Sequence, residues 1–290
     1  MTKRLLSVLL SLGAASLAQA QSTNAASAAP AAAAPAVATG ETPLGPVQPP
    51  DPEAVIRGQA QYQRYCQACH GPWGDGRGDS FPWLETKPRD FTKGIFKFRS
   101  TPSGTLPVDS DIVHTVRTGL WGSGMPKWSG LGDVQVEDLV AYVESFSPLF
   151  ATQGRGIPIT IPPEPPDTPD SQAAGKKVYT QMGCFNCHGV EGRGNGPSAN
   201  TLVDDWGFPI QPANLSTGHY KDGDQNWEIY KDFMTGLNGT PMPSYADSMT
   251  PAQAWDLVHY IKTLVTPGPL FRLEPSLEQY EKAVAAGEKK

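Results

Sequence analysis

Apolar positions recur at helical spacing in two stretches of the chain, and the same pattern returns in the second half. From Pro52 to Tyr65 no internal proline intervenes, and Val55, Ile56, Tyr62 and Tyr65 can share one helical face. Gln172 to Met182 is the counterpart. A closing helix is expected in each half, over Val134 to Phe146 and over Pro251 to Leu264. The second of these carries a strong start signal, with Thr250 as N-cap, Pro251 at the first helical position and Gln253 completing a capping box. Its residues Trp255, Val258, Ile261 and Leu264 form one apolar stripe. Shorter helices are expected over 109–118 and 225–235, each ended by a glycine, Gly119 and Gly236. No strand-like alternation of useful length appears, and the remainder is Gly- and Pro-rich loop. The pattern predicts an all-α fold.

The two halves repeat one another. Cys66-Gln-Ala-Cys69-His70-Gly71 is echoed 118 positions later by Cys184-Phe-Asn-Cys187-His188-Gly189, and Met125-Pro126 is echoed 117 positions later by Met242-Pro243. Val140, Tyr142 and Val143 correspond to Val258, Tyr260 and Ile261. A register held this closely implies one fold used twice, over 51–150 and 171–267. Between them, residues 151–170 contain Pro158, Pro162, Pro163, Pro165, Pro166 and Pro169, the composition of a stiff, extended linker. Residues 21–50, rich in Ala and Pro with Glu41 their one charge, read as a disordered tether, and 268–290 as a charged tail.

The start of the chain changes the picture of where the protein works. Lys3 and Arg4, an apolar run from Leu5 to Leu17, and Ala18-Gln19-Ala20 form the pattern of a secretory signal peptide, 1–20, cut after Ala20. The expected location is the periplasm; an uncleaved segment would instead tether the protein to the membrane. Removing Lys3 and Arg4 takes the formal charge from −6 to −8, which argues against nucleic acid and anionic membrane surfaces as partners.

All four cysteines lie in two C-x-x-C pairs, and each pair is followed at once by histidine. In an exported chain an even cysteine count suggests disulfides, but C-x-x-C-H is the attachment signature of c-type haem. Two thiols add across the haem vinyl groups, and the next residue presents its imidazole to the iron. Cys66, Cys69, Cys184 and Cys187 are therefore the expected attachment points of two covalently bound haem c groups, with His70 and His188 on the irons. Met125 and Met242, in Gly/Pro loops at matching positions, are the expected sixth ligands, because a thioether suits Fe(II) and raises the potential relative to a second histidine. Met182, Met234 and Met249 have no repeat partner. His114, His219 and His259 are expected to be exposed or structural, since His114 aligns with the solvent-type Lys231 and His259 with Ala141. Acceptors for the other ring nitrogens of His70 and His188 are expected near Pro82 and Pro197. Tyr62, Phe81, Trp83, Trp121 and Trp128, with Tyr179, Trp206, Trp227 and Tyr245, are candidates to pack the haem edges of their own halves.

On these motifs the chain resembles the class I cytochrome c family, in tandem dihaem form like cytochrome c4 or a haem-bearing respiratory subunit. The resemblance covers roughly 51–148 and 171–266. It implies low-spin iron and outer-sphere transfer of single electrons between periplasmic or membrane-bound redox proteins, with no metabolic substrate. Two alternatives stand beside that carrier reading. One is a dihaem enzyme of peroxidase or thiosulfate-oxidising type; the other is a haem-bearing subunit of a membrane oxidase or reductase. The first half is longer than the family's smallest members, and the extra loop, Lys87 to Arg99, holds five basic residues against Asp90 alone. That segment is expected to hold a haem propionate, dock an acidic partner, or be an ordinary solvated loop.

Overall fold

A computed structural model describes residues 42–266. The expected signal peptide, most of the tether and the charged tail lie outside the described residues. Among the described residues the fold is helical, with no β-strand beyond isolated bridges, and no helix is long and apolar enough to cross a membrane.

Each half opens with a helix that its cap residues start. In the first, α1 (Pro52–Tyr65), the Asp51 carboxylate accepts from the backbone N–H groups of Glu53 and Ala54 at 3.2 and 3.3 Å. In the second half, α6 (Pro169–Gln181) starts three residues before the expected Gln172. Thr168 accepts from the Ser171 N–H at 3.1 Å, and Pro169 is the first helical residue rather than the end of a linker. Single turns α2 (Gln67–His70) and α7 (Phe185–His188) follow, then α3 (Asp109–Thr118) and α8 (Asn226–Thr235), and the closing helices α4 (Asp133–Ser145) and α9 (Pro251–Thr263). A further turn, α5 (Leu149–Thr152), follows α4.

The core of each half is the crossing of its first and last helices, α1 with α4 and α6 with α9. Gly58 and Gly175 sit at the crossings. A Cβ on Gly58 would fall on the Asp138 carbonyl, and one on Gly175 on the Asp256 carbonyl, so the backbones meet without a side chain between them. Around each crossing lie matched apolar clusters, with Tyr62, Val136 and Leu139 in the first and Tyr179, Ala254 and Leu257 in the second. The predicted stripe on α9 is too narrow: Leu257, His259 and Tyr260 are buried as well, because the linker and α6 cover a second side of the helix. Ile56 departs in the opposite direction, at 72% exposure, since α4 approaches the Gly58 side of α1.

The proline-rich stretch is not a free spacer. The Gly156 N–H donates to Leu106 O (3.1 Å) and the Ile159 N–H to Ser100 O (2.8 Å), while Trp255 Nε1 donates to Pro162 O (3.2 Å). Residues 42–50, expected as tether, are also docked: the Gly45 N–H donates to Arg155 O (2.8 Å) and Leu44 bridges Gly156.

The two halves meet through charged and polar groups and through one aromatic pair, Phe81 edge-on to Phe208 at 5.5 Å. Arg99, with no exposed surface, donates to Thr235 O (2.7 Å) and Gly236 O (3.1 Å) at the C-terminal end of α8, where helix carbonyls lack partners. His114 Nε2 lies 3.0 Å from Asp222 O and 3.4 Å from Glu228 Oε1. Lys231, expected in solvent, is 5% exposed and pairs with Asp222. Solvent-type residues here become interface residues because the repeat packs against itself.

Candidate haem sites

Each attachment motif is one helical turn. The His70 N–H donates to Cys66 O and the His188 N–H to Cys184 O, both at 2.9 Å, so each pair of thiols and its histidine are held on a single turn. Gly71 and Gly189 then reverse the chain, each with φ of 79°. Tyr62 Oη and Tyr179 Oη donate to the carbonyls of these same glycines at 2.7 and 2.6 Å. The first helix thus pins the motif from behind. Tyr62 and Tyr179 have a role in holding the motif turn as well as in the core of their halves.

The imidazoles are fixed by backbone carbonyls from a distant loop. His70 Nδ1 lies 3.1 Å from Arg89 O, and His188 Nδ1 lies 2.9 Å from Ala213 O. With a carbonyl as partner, Nδ1 donates and Nε2 keeps its lone pair for a metal. The acceptors are therefore not near Pro82 and Pro197. The sequence signal that finds them is a second repeat, Pro88-Arg-Asp-Phe-Thr92 against Pro212-Ala-Asn-Leu-Ser216. Asp90 Oδ1 accepts from the Thr92 N–H at 2.9 Å and Asn214 Oδ1 from the Ser216 N–H at 3.0 Å, so the same Asx turn presents both carbonyls. Burial pushes the His70 imidazole down to about 4 and lowers that of His188, which keeps both neutral. Burial likewise pushes the Cys66 thiol up to about 12 and Cys184 up to about 11, and none of the four cysteines is in a disulfide.

In the first half, Cys66, Cys69, His70 and Met125 line one cavity with Phe91, Ile112, Val116, Leu139 and Val143. Met125 is carried by a tight loop in which the Leu120 N–H donates to Met125 O (3.0 Å) and the Met125 N–H to Ser123 Oγ (3.2 Å). Gly119 lies against the backbone of Pro126 and Lys127, which leaves no room for a side chain. The second half repeats the device: the Leu237 N–H donates to Met242 O (3.1 Å), the Met242 N–H to Thr240 Oγ1 (3.3 Å), and Gly236 lies against Pro243. Met242 packs on the core cluster that also takes Cys184, Phe185 and Tyr245.

A cavity with apolar walls, two free thiols at one side and an imidazole with a free Nε2 fits a covalently held porphyrin. The basic segment fits its acid groups. Lys87, Arg89 and Lys97 line the cavity, as does Lys221 from the other half. Burial pushes Arg89 down to about 10 and Lys97 down to about 8. Cations desolvated against a cavity in this way call for an anionic ligand.

The aromatic residues divide. Phe81 lines the first cavity, but so does Trp206, which belongs to the second half and stacks under Arg89 at 4.4 Å. Trp83 is 86% exposed, Trp121 packs at a tilt against His219 and Trp128 against Tyr65, and Trp227 meets His114 edge-on. Tyr245 lies near Cys184 and Cys187. His259 is wholly buried and structural: it sits 2.8 Å from Ser171 Oγ and 3.2 Å from Glu164 Oε1, tying the linker to α6.

A helical domain used twice, each copy closing on one C-x-x-C-H turn, defines a c-type cytochrome with two covalently bound haems. Comparison with known proteins agrees. Residues 172–265 match the family described as cytochrome c, and residues 53–143 match cytochrome C oxidase, cbb3-type, subunit III. A solved chain from the reducing HAO-like protein complex of Kuenenia stuttgartiensis aligns with a TM-score of 0.72 at 40% identity, covering 76% of this chain and 99% of its own length. No curated protein gives a significant match. The chain belongs to the cytochrome c family, as a tandem dihaem electron-transfer protein.

Proposed function

We propose that the protein is an exported carrier that moves single electrons between redox proteins in the periplasm, each iron held by one histidine and one methionine. His70 and Met125 serve the first haem, and His188 and Met242 the second. The reading is carried by one observation: Cys66, Cys69, His70 and Met125, scattered over sixty positions of sequence, line one cavity. Bound haem supplies a one-electron iron couple. The chain's part is to hold the ring, fix each imidazole through Arg89 O or Ala213 O, and keep water from the metal with apolar walls. With both axial positions filled, no site is left for peroxide or a small anion, which favours a carrier over a dihaem enzyme.

The likeness to a chain from a protein complex supports a second reading, in which the cytochrome works as the electron-transferring subunit of such an assembly. Size determination of the native material separates the two, a single chain of carrier size against a larger complex. For the ligands, Met125→Ala or Met242→Ala is expected to lower one of two haem potentials by on the order of 0.1 V, within the roughly 0.8 V that axial ligands command. The other potential should barely move. Spectroelectrochemical titration measures both, and a variant that leaves both potentials in place removes that methionine from the iron.

A further inference from the structure

The cavity of the first haem is built from both halves, and its charges are unequally satisfied. Three carboxylates line it, and each is already capped. Asp75 accepts from the Arg77 N–H at 3.1 Å, Asp90 from Thr92, and Asp204 from the N–H groups of Trp206 and Phe208 at 3.0 and 2.9 Å. Among the cations, Lys87 donates to Phe81 O at 3.1 Å, Arg77 lies over the Phe81 ring at 5.7 Å and Arg89 stacks on Trp206. Among the described residues Lys97 and Lys221 have no hydrogen-bond acceptor and no carboxylate oxygen within 4.0 Å; Lys97 has only the Phe98 ring, 5.5 Å from its Nζ.

These two lysines are the same residue of the repeat. Counting from the Asx turn, Gly94-Ile-Phe-Lys97 corresponds to Gly218-His-Tyr-Lys221. Each should serve its own domain's haem, yet Lys221 lines the cavity of the other domain. Its main chain is held there, since Lys221 O accepts from the Trp121 N–H at 3.1 Å. Lys97 is near enough to Arg89 and to Lys221 to be repelled by both; the carboxylates that oppose this, Asp232 and Asp204 toward Lys97 and Glu85 toward Lys221, stay beyond ion-pair reach. Like charges gathered in a half-buried space without acceptors are unfavourable unless an anion joins them.

We propose that Lys97 and Lys221, one from each domain, clamp the propionates of the first haem, so that the second domain helps to set the first haem's potential. The clamp also gives the haem a part in joining the domains, because the carboxylates would bridge cations that otherwise push them apart. The proposal rests on the two-haem assignment alone. It is independent of which atoms fill the far side of each iron, whose failure would appear separately as loss of the sulfur-to-iron absorption band.

Two measurements on the haem-loaded full chain test it. A crystal structure should place both Nζ atoms within about 3.2 Å of propionate oxygens of the first haem; propionates turned elsewhere, or Lys221 Nζ directed to solvent, overturn it. In redox titration, Lys221→Met keeps the aliphatic stem and removes the charge, and should shift the first haem's reduction equilibrium about tenfold toward the oxidised form, a fall of about 59 mV. Lys221→Arg should restore most of the loss. Lys176→Met, on the exposed face of α6, controls for net charge. If Lys221→Met lowers the first potential no more than Lys176→Met does, the clamp is wrong. Should Lys221→Met fail to retain both haems, Lys97→Met carries the same expectation and the same refutation.

Discussion

The two haem-binding halves share a frame and differ in what is hung on it. In both, a tyrosine on the first helix holds the turn after the histidine, an Asx turn offers a carbonyl to the imidazole, and a glycine-backed loop carries the methionine. The loop between is another matter. Where the first half has Arg89 and Arg99, the second has Ala213 and Gly223, and only the lysine at 97 and 221 is kept. The first half's basic loop is consequently the part that docks on the second, where Arg99 donates to the last carbonyls of α8 and Arg89 lies over Trp206. Haem-holding geometry lives in the conserved part of the repeat, whereas charge and assembly live in the part that diverged.

Arg99 is where this contrast breaks most severely. Arg99→Met removes the two hydrogen bonds that the buried guanidinium makes across to the second half, beside two within its own loop, and leaves the last carbonyls of α8 without that partner, a loss of about 3 kcal/mol or more at roughly 1.5–3 kcal/mol per charged bond. Thermal unfolding followed at each haem is expected to separate into two transitions; one shared transition would mean the domains are joined mainly elsewhere. The helix crossings come next. Gly58→Ala and Gly175→Ala each force a methyl onto a backbone carbonyl, and overpacking of this kind costs roughly 1–3 kcal/mol. Equal losses, measured by denaturant titration, would show that the frame is as tight in both halves.

The smallest effect is in pH. Glu228, followed by the Asp222 carbonyl, raises the His114 pKa above 6.5 against the opposing burial and the charge of Lys231. A histidine raised on folding contributes fully below its ordinary value and loses that contribution as pH rises through the folded one. Stability of the joined domains should therefore decline modestly as pH rises above about 6.5, and His114→Gln should flatten that slope. An unchanged slope in the variant would assign the dependence to other groups.

Most of this frame was legible in the chain because its signals are local. Helix starts follow from Asp51-Pro52 and Thr250-Pro251, and the haem turn from C-x-x-C-H, all of which act within one or two turns of themselves. What escaped depends on distant pairs. Gly58 and Gly175 read as weak points in a helix until another backbone is seen against them. The acceptors of His70 and His188 are main-chain atoms, so side-chain chemistry cannot identify them, although the Pro-x-Asx repeat marks their loop. Lys231 and His259 look solvent-facing by type and are buried by partners from other segments. The proline-rich stretch is a linker, as its composition indicates, but composition reports stiffness and not the surface on which the linker docks.

The meeting of Gly45 with Arg155 has a consequence for ancestry and engineering alike. It brings the entry and exit of the first repeat to one place, so that module is nearly a closed circuit. A unit whose ends coincide can be copied, inserted or spliced into another chain with little strain on its interior.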